Sequence, residues 1–214
     1  MECIRIENLT KKFGNLEVFK NINFKIEENT IVGISGKNGC GKTTLLKLIS
    51  GLLLPDNGKI FVYKKDIFKE RHIVKNYIGL SLNTDNGFYP QLTVLENLKF
   101  LCLLYKKTIE DFKSYIEELE LYNFLNTKFL FCSSGTKTKL WLLSSLIKNS
   151  KILLIDELTK SIDFDTKQKV YNFIKNLNQK YQVTVIFVSH SIEEITTLSN
   201  KWLHIENGEI IERI

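Results

Sequence analysis

The residues from Gly36 to Thr44, Gly-Lys-Asn-Gly-Cys-Gly-Lys-Thr-Thr, fit the spacing G-x-x-x-x-G-K-[ST]. Gly36, Gly39 and Gly41 let the backbone N–H groups of Lys37, Asn38, Cys40 and their neighbours turn toward one polyphosphate. A helix starting just after them, at Lys42-Thr43-Thr44, would point its positive dipole end at the same anion. Lys42 would reach the β- and γ-phosphates, and the Thr43 hydroxyl would ligate Mg²⁺. A glycine turn between strand and helix that happens to contain Lys-Thr would leave the filling of every fixed position to coincidence.

Three further stretches carry chemistry. Ile152-Leu153-Leu154-Ile155-Asp156-Glu157 is an apolar run ending in two carboxylates. Ligands of open α/β sheets collect at the carboxyl ends of strands, which would bring both acids beside the glycine loop. Asp156 would hold Mg²⁺, directly or through water, and Glu157 would polarise an attacking water. Val188-Ser189-His190 is a second apolar run ending in a polar side chain, and His190 would donate to a γ-phosphate oxygen or orient the water. A strand-end histidine alone is more often structural, but the order of loop, Asp-Glu and His raises the functional reading. Cys132-Ser133-Ser134-Gly135-Thr136-Lys137-Thr138-Lys139 directly precedes a helix-like stretch, where small residues expose N–H groups to an anion. Taken alone, Ser-Ser-Gly is an ordinary helix-capping turn.

Hydrophobic patterning supplies the elements that must position these residues. Ile31–Ser35 before the loop suits a buried strand, and Leu45–Ile49 after it suits a helix. Residues 2–7 and 18–26 read as strands, with Lys11–Asn15 as the turn between them. Leu54–Gly58 is a turn, followed by strands over 59–63 and 77–82. Thr93–Tyr105 and Ile109–Leu121 show helical spacing, with a capping box from Thr93 to Glu96. A further helix begins near Gly135 and another covers about 165–177. Residues 151–155 and 183–188 are continuously apolar, as in a parallel sheet covered on both faces. Residues 201–205 and 209–213 flank Asn207-Gly208 as a hairpin. The expected fold is α/β, in one domain.

Composition narrows the class. A chain of 214 residues with 43% hydrophobic and 25% charged residues is an ordinary globular protein. Its apolar runs are too short or too interrupted to span a bilayer, and the N-terminus lacks a signal-peptide core, so a cytosolic location is expected. Cysteines 3, 40, 102 and 132 are far apart without a C-x-x-C pair, and are expected to be reduced and mostly buried. The net charge of +6 comes from lysines interspersed with acids, which favours solvated faces over specific nucleic-acid recognition.

The order of these motifs resembles the nucleotide-binding subunit of ATP-binding-cassette (ABC) transporters over essentially the full chain. Gly36–Thr43 resembles the first nucleotide motif of that family, Ile152–Asp156 the second and Glu157 its general base. Ser133-Ser134-Gly135 is similar to the Leu-Ser-Gly-Gly-Gln signature, Ser161-Ile162-Asp163 to the D-loop, and Ser189-His190 to the switch histidine. Phe13 matches the aromatic that stacks on adenine, and Asn83 stands where the family has a loop glutamine near Mg²⁺.

The resemblance implies a P-loop NTPase core with a mainly parallel sheet, an N-terminal antiparallel β subdomain and an inserted helical subdomain at about 84–140. It implies an ATPase using ATP and Mg²⁺. Two cassettes, identical or not, would meet head to tail, with Ser133 and Gly135 acting on the nucleotide of the facing subunit. A separate membrane-spanning permease would dock on the segment between the glutamine loop and the signature, which includes Asn83 to Tyr105, placing the cassette on the cytoplasmic face. Phe88–Leu98 is similar to a stretch common in exporter subunits. Cys132, Ser134 and Thr136 replace the signature's Leu, Gly and Gln, Leu158 a proline and Ser161 a D-loop glycine, while the acid, base and phosphate-contacting positions are kept. The rival readings are a soluble ABC ATPase energising a non-membrane assembly and a regulatory nucleotide-binding module.

Overall fold

The computed structural model describes residues 1–82, 87–157, 159 and 162–213. Its strands fall into two sheets. The first is antiparallel, in the order β2-β1-β4-β5, and comprises Glu2–Phe13 (β1), Leu16–Glu27 (β2), Asn57–Val62 (β4) and Lys65–Asp66 (β5). The second, in the order β10-β9-β3-β8-β7-β6, comprises Ile31–Gly36 (β3), Ile78–Leu82 (β6), Ile152–Asp156 (β7), Thr184–Val188 (β8), Lys201–Glu206 (β9) and Glu209–Arg213 (β10). All its pairings are parallel except the β9–β10 hairpin. The helices are Lys42–Ile49 (α1), Arg71–Val74 (α2), Val94–Leu104 (α3), Lys113–Glu118 (α4), Ser134–Leu146 (α5), Phe164–Tyr181 (α6) and Ile192–Leu198 (α7).

The apolar runs are continuous because the central strands feed two cores. Along β7, Ile152 and Leu154 join one buried cluster and Leu153 and Ile155 the other; along β8, Ile186 and Val188 alternate with Val185 and Phe187 in the same way. Successive strand side chains point to opposite faces, so a sheet buried on both sides needs apolar residues at every position. One core lies between the parallel sheet, α1 and the antiparallel sheet, through Leu45, Leu46, Leu48 and Ile49. The other packs α3, α4, α5, α6 and α7 on the opposite face. Each fully buried Leu or Ile contributes about 1.5–3 kcal/mol.

The sheet order places the functional strand ends side by side. Strand β8 sits between β3 and β7, with Val188 opposite both Ile34 and Asp156. The chain therefore leaves β3 into the glycine loop, β7 into Asp156-Glu157 and β8 into Ser189-His190 along a single edge. Leu82, the last residue of β6, pairs with Asp156 at the same edge.

Local differences from the sequence expectations have physical causes. The turn expected at Lys11–Asn15 is confined to Gly14 and Asn15, since β1 pairs with β2 as far as Phe13 opposite Leu16. The helix expected over 109–121 is a 3-10 turn at Glu110–Phe112 followed by α4. It buries Phe112, Ile116 and Leu119 as the spacing requires, then stops where Glu120 turns left-handed (φ 53°). There the Leu121 N–H bonds back to the Ile116 carbonyl at 2.9 Å, closing the end in a Schellman-type turn. The Thr93–Glu96 capping box forms as expected. Helices α2 and α7 and strand β5 lie outside the sequence expectations. All four cysteines are free, with Cys3 and Cys102 buried and Cys40 and Cys132 half-buried.

Candidate ATP-hydrolysing site

Two glycines dictate the loop's path. A Cβ on Gly36 would lie 2.5 Å from Cys40 Sγ and 2.7 Å from the Ile205 carbonyl oxygen. Gly41, at φ 106°, is the N-cap of α1, and a Cβ there would meet Val18 Cγ1 at 2.5 Å. Only glycine satisfies both the left-handed backbone and the close approach. The loop closes around Lys42, which is buried and whose Nζ donates to the carbonyls of Gly36 (2.8 Å) and Lys37 (2.9 Å). The ammonium is thus held at the mouth of α1, where an anion would meet both the charge and the helix N-terminus.

Thr43, one residue on, donates its hydroxyl to Asp156 Oδ2 at 2.7 Å. The other oxygen, Asp156 Oδ1, is buried with no hydrogen-bond partner among the described residues. A buried carboxylate oxygen without a donor is costly unless a cation completes it. A carboxylate beside a hydroxyl is the hard-oxygen set that suits Mg²⁺ shared with phosphate oxygens. The residues therefore fit the ion.

Glu157 leaves the strand through a left-handed backbone (φ 53°), a conformation that costs a non-glycine residue about 1–2 kcal/mol. This turn sends its side chain toward β8, where Glu157 Oε1 lies 3.2 Å from His190 Nε2. Both side chains stay partly open, Glu157 at 28% and His190 at 45% exposure, as groups that must meet a ligand require. Beside them an open cleft of about 620 Å³ is lined by Phe13, Leu16, Val18, the loop residues Asn38, Gly39 and Gly41–Thr44, Asp156, Glu157 and His190. Phe13 is half exposed at its rim, with Lys11 Nζ 5.2 Å from the ring centre. Leu16 and Val18, which share this wall, were not singled out by the sequence. Asp56 fastens the strand that carries Phe13. Its carboxylate accepts from the Lys12 N–H (2.6 Å) and pairs with Lys11 (3.0 Å), which together hold its pKa below the usual range.

The other expected site residues gather elsewhere. Ser133 caps α5, its Oγ accepting from the Thr136 N–H at 3.1 Å. Asp163 caps α6, accepting from the Thr166 N–H at 2.9 Å and from its hydroxyl at 2.8 Å, so its pKa too is lowered. Gly135 is packed against Thr166, where a Cβ would lie 2.9 Å from Cγ2. Ser133, Ser134, Gly135 and Asp163 thus sit on two adjoining helix N-termini, and none of them lines the cleft of their own chain. Asn83 and Ser161 lie outside the described residues.

A second cavity of about 570 Å³ adjoins the first and shares Asn38, Glu157 and His190 with it. Its remaining walls are Thr159, Lys167, Ser189, Ser191 and Glu194, of which the sequence pointed only to Ser189. The pattern Ser191-x-x-Glu194, a helix-start signature, was the available signal.

A strand-borne glycine loop, a hydroxyl-carboxylate pair and a glutamate-histidine pair on one sheet edge define a P-loop ATPase. Comparison with known proteins gives the family. The family model described as ABC transporter matches residues 19–160. Over 202 residues the chain is 33% identical to the ABC transporter ATP-binding protein NatA of Bacillus subtilis (strain 168), covering 92% of this chain and 82% of that one. It is 30% identical over 216 residues to the probable sulfate/thiosulfate import ATP-binding protein CysA of Chlorella vulgaris, covering 98% and 89%. Among solved structures, the ATP-binding cassette MJ0796 in a dimeric post-hydrolysis state bound to ADP and Pi superposes with a TM-score of 0.84 at 27% identity, covering 98% of this chain and 97% of that one. The chain belongs to the ABC transporter family and is its ATP-binding, ATP-hydrolysing subunit. No helix among the described residues is long and apolar enough to cross a membrane.

Proposed function

We propose that this cassette, residues 1–214 with a helical part at about 84–140, hydrolyses MgATP between two facing cassettes and so drives a separate membrane-spanning permease from its cytoplasmic side. The observation that carries the reading is the common edge on which Asp156 keeps an orphaned oxygen beside Thr43 while Glu157 meets His190. ATP enters with its base against Phe13 and its phosphates on the N–H groups of the loop, and Lys42 exchanges loop carbonyls for phosphate oxygens. Thr43 and Asp156 would hold Mg²⁺, which when bound would supply charge neutralisation of the phosphates. Glu157 accepts a hydrogen bond from the attacking water and orients it in line with the γ-phosphorus. His190 donates to a γ-phosphate oxygen, where charge grows in the transition state. Ser133, Ser134, the Gly135 backbone and Asp163, remote from their own cleft, complete the site of the facing cassette.

Exposed apolar side chains support a protein partner on the helical part. Leu103 (75% exposed), Leu104 and Tyr105 at the end of α3, with Phe131 (74%), offer the permease an apolar surface. The exporter resemblance of residues 88–98 is an expectation about direction that the import relative's name does not share. Glu157→Gln keeps shape but not basicity, so turnover should fall about 10³-fold while ATP still yields a dimer on a sizing column. Wild-type turnover in that variant would remove Glu157 as the base. Recovery of only soluble proteins with the cassette from detergent-solubilised cells would favour the non-membrane assembly instead.

A further inference from the structure

Glu194 is a buried acid that the reaction above does not use. It is 3% exposed on α7. One carboxylate oxygen, Oε1, accepts from the Thr159 hydroxyl at 2.7 Å, and the other, Oε2, accepts from the Ser189 hydroxyl. Among the described residues its hydrogen-bond partners are hydroxyls rather than cations, a costly arrangement for a buried charge.

The plain explanation would be a helix cap, and the geometry argues against it. In a capping box the third-position glutamate reaches back to the N-cap N–H. Here the Ser191 N–H donates instead to Ser189 Oγ at 3.0 Å, while the Glu194 backbone N–H is met by Ser191 Oγ at 3.2 Å. The cap is complete without the carboxylate. Its two anchors are instead the residue immediately before His190 and the residue two beyond Glu157. The same carboxylate faces Tyr171 of α6, whose phenol pKa is raised by burial first and then by the charge of Glu194.

We propose that Glu194 is a positioning residue for ATP hydrolysis: its carboxylate clamps the chain behind Glu157 to the chain behind His190 and so sets the contact between them. This rests on the roles given above to Glu157 and His190. Ser189 holds one end of the clamp just past β8, and Thr159, on the wall of the second cavity, holds the other. Losing either end frees one of the pair to drift, and drift of a positioned group by about 1 Å costs on the order of 100-fold in rate.

The test uses the full chain with Glu194→Gln, which keeps the volume but offers one acceptor oxygen to two hydroxyl donors. Turnover should fall about tenfold or more with KM for ATP within about twofold, because the phosphate loop is untouched. The imidazole proton resonances of His190 should shift while those of His72 and His204 stay in place. Glu194→Asp, which retains both oxygens, should recover part of the loss. Thr159→Val and Ser189→Ala, which each cut one arm, should reproduce part of the rate loss and part of the His190 shift. Unchanged turnover and unchanged His190 resonances in those two variants would overturn the clamp even if Glu194→Gln failed to fold. So would a proportional rise in KM or a joint shift of all three histidines in Glu194→Gln, which mark general loosening. Wild-type turnover in Glu157→Gln would remove the base instead, leaving the His190 resonances as the measure of the clamp.

Discussion

Two helix N-termini in this chain carry the residues proposed to meet a nucleotide, and they are built differently. At α1 the approach is a glycine loop closed on a buried ammonium, with a carboxylate and a hydroxyl adjoining it. At α5 the approach is Ser133 alone, its hydroxyl bonded to the helix's own Thr136, beside the Asp163 cap of α6. The first carries cationic charge, donors and a base within one fold. The second, made of the Ser133 and Asp163 caps, does not line the cleft of its own chain, so under the proposed pairing its chemistry depends on a nucleotide brought by another cassette. Under the proposed pairing, one end of the molecule is a site and the other would close a neighbour's site.

The sharpest way to break that contrast is Lys42→Ala. Removing the ammonium proposed to meet the phosphates should weaken ATP binding on the order of 100-fold or more and reduce turnover to background, measured on the isolated chain by nucleotide titration. Ser133→Ala should leave ATP binding by the dilute monomer unchanged, yet lower turnover at concentrations where cassettes pair. Mixing Lys42→Ala with Ser133→Ala chains should restore turnover above either alone, because one composite site then has an intact loop and an intact cap. Failure of the mixture to recover would place both residues in one chain's site. The lost α5 cap should also cost about 1 kcal/mol in a denaturant titration.

The smallest expected effect is a response to acid that the two regions share. Asp56, near Phe13, and Asp163, at the α6 cap, both have folded pKa values below the ordinary carboxylate range, the first through the Lys12 N–H and Lys11, the second through the Thr166 N–H and hydroxyl. A depressed folded pKa contributes stability that is complete above the unfolded value of about 3.9 and is lost as pH falls through the folded one. Thermal melts should therefore decline below about pH 4, and the decline should be shallower in Asp56→Asn and in Asp163→Asn. A decline as steep in both variants as in the wild type would place the acid sensitivity elsewhere.

Much of the fold was legible because its signals are local. Ile152–Ile155 and Val183–Val188 could be read as doubly buried strands from unbroken apolarity, and the glycine loop announced the turn from β3 into α1. Asp156, Glu157 and His190 could be set on one edge because a parallel sheet aligns the carboxyl ends of its strands, while Lys42 and Thr43 came from the spacing of the loop. What stayed hidden depends on contacts distant in sequence. Glu194 drew no reading from the sequence, and its burial goes with Thr159, which reaches it from beyond the end of β7, and with nearby Ser189. Leu16 and Val18 face the cleft because β2 runs beneath the loop, a relation that no spacing records. Residues 109–121 read as one helix because apolar spacing reports which face is buried and is silent on where Glu120 reverses the backbone.

The self-satisfied lysine at the centre of the phosphate loop has a thermodynamic side. With its ammonium already out of bulk water and held by the Gly36 and Lys37 carbonyls, arrival of a nucleotide is an exchange of oxygen ligands around a cation already fixed in place. The roughly 2 kcal/mol of rotamer entropy in a lysine side chain is surrendered during folding rather than during binding. Affinity for polyphosphate at this loop is thus stored in the stability of the empty domain, and variants that loosen β3 or α1 should release it as weaker nucleotide binding before they unfold the chain.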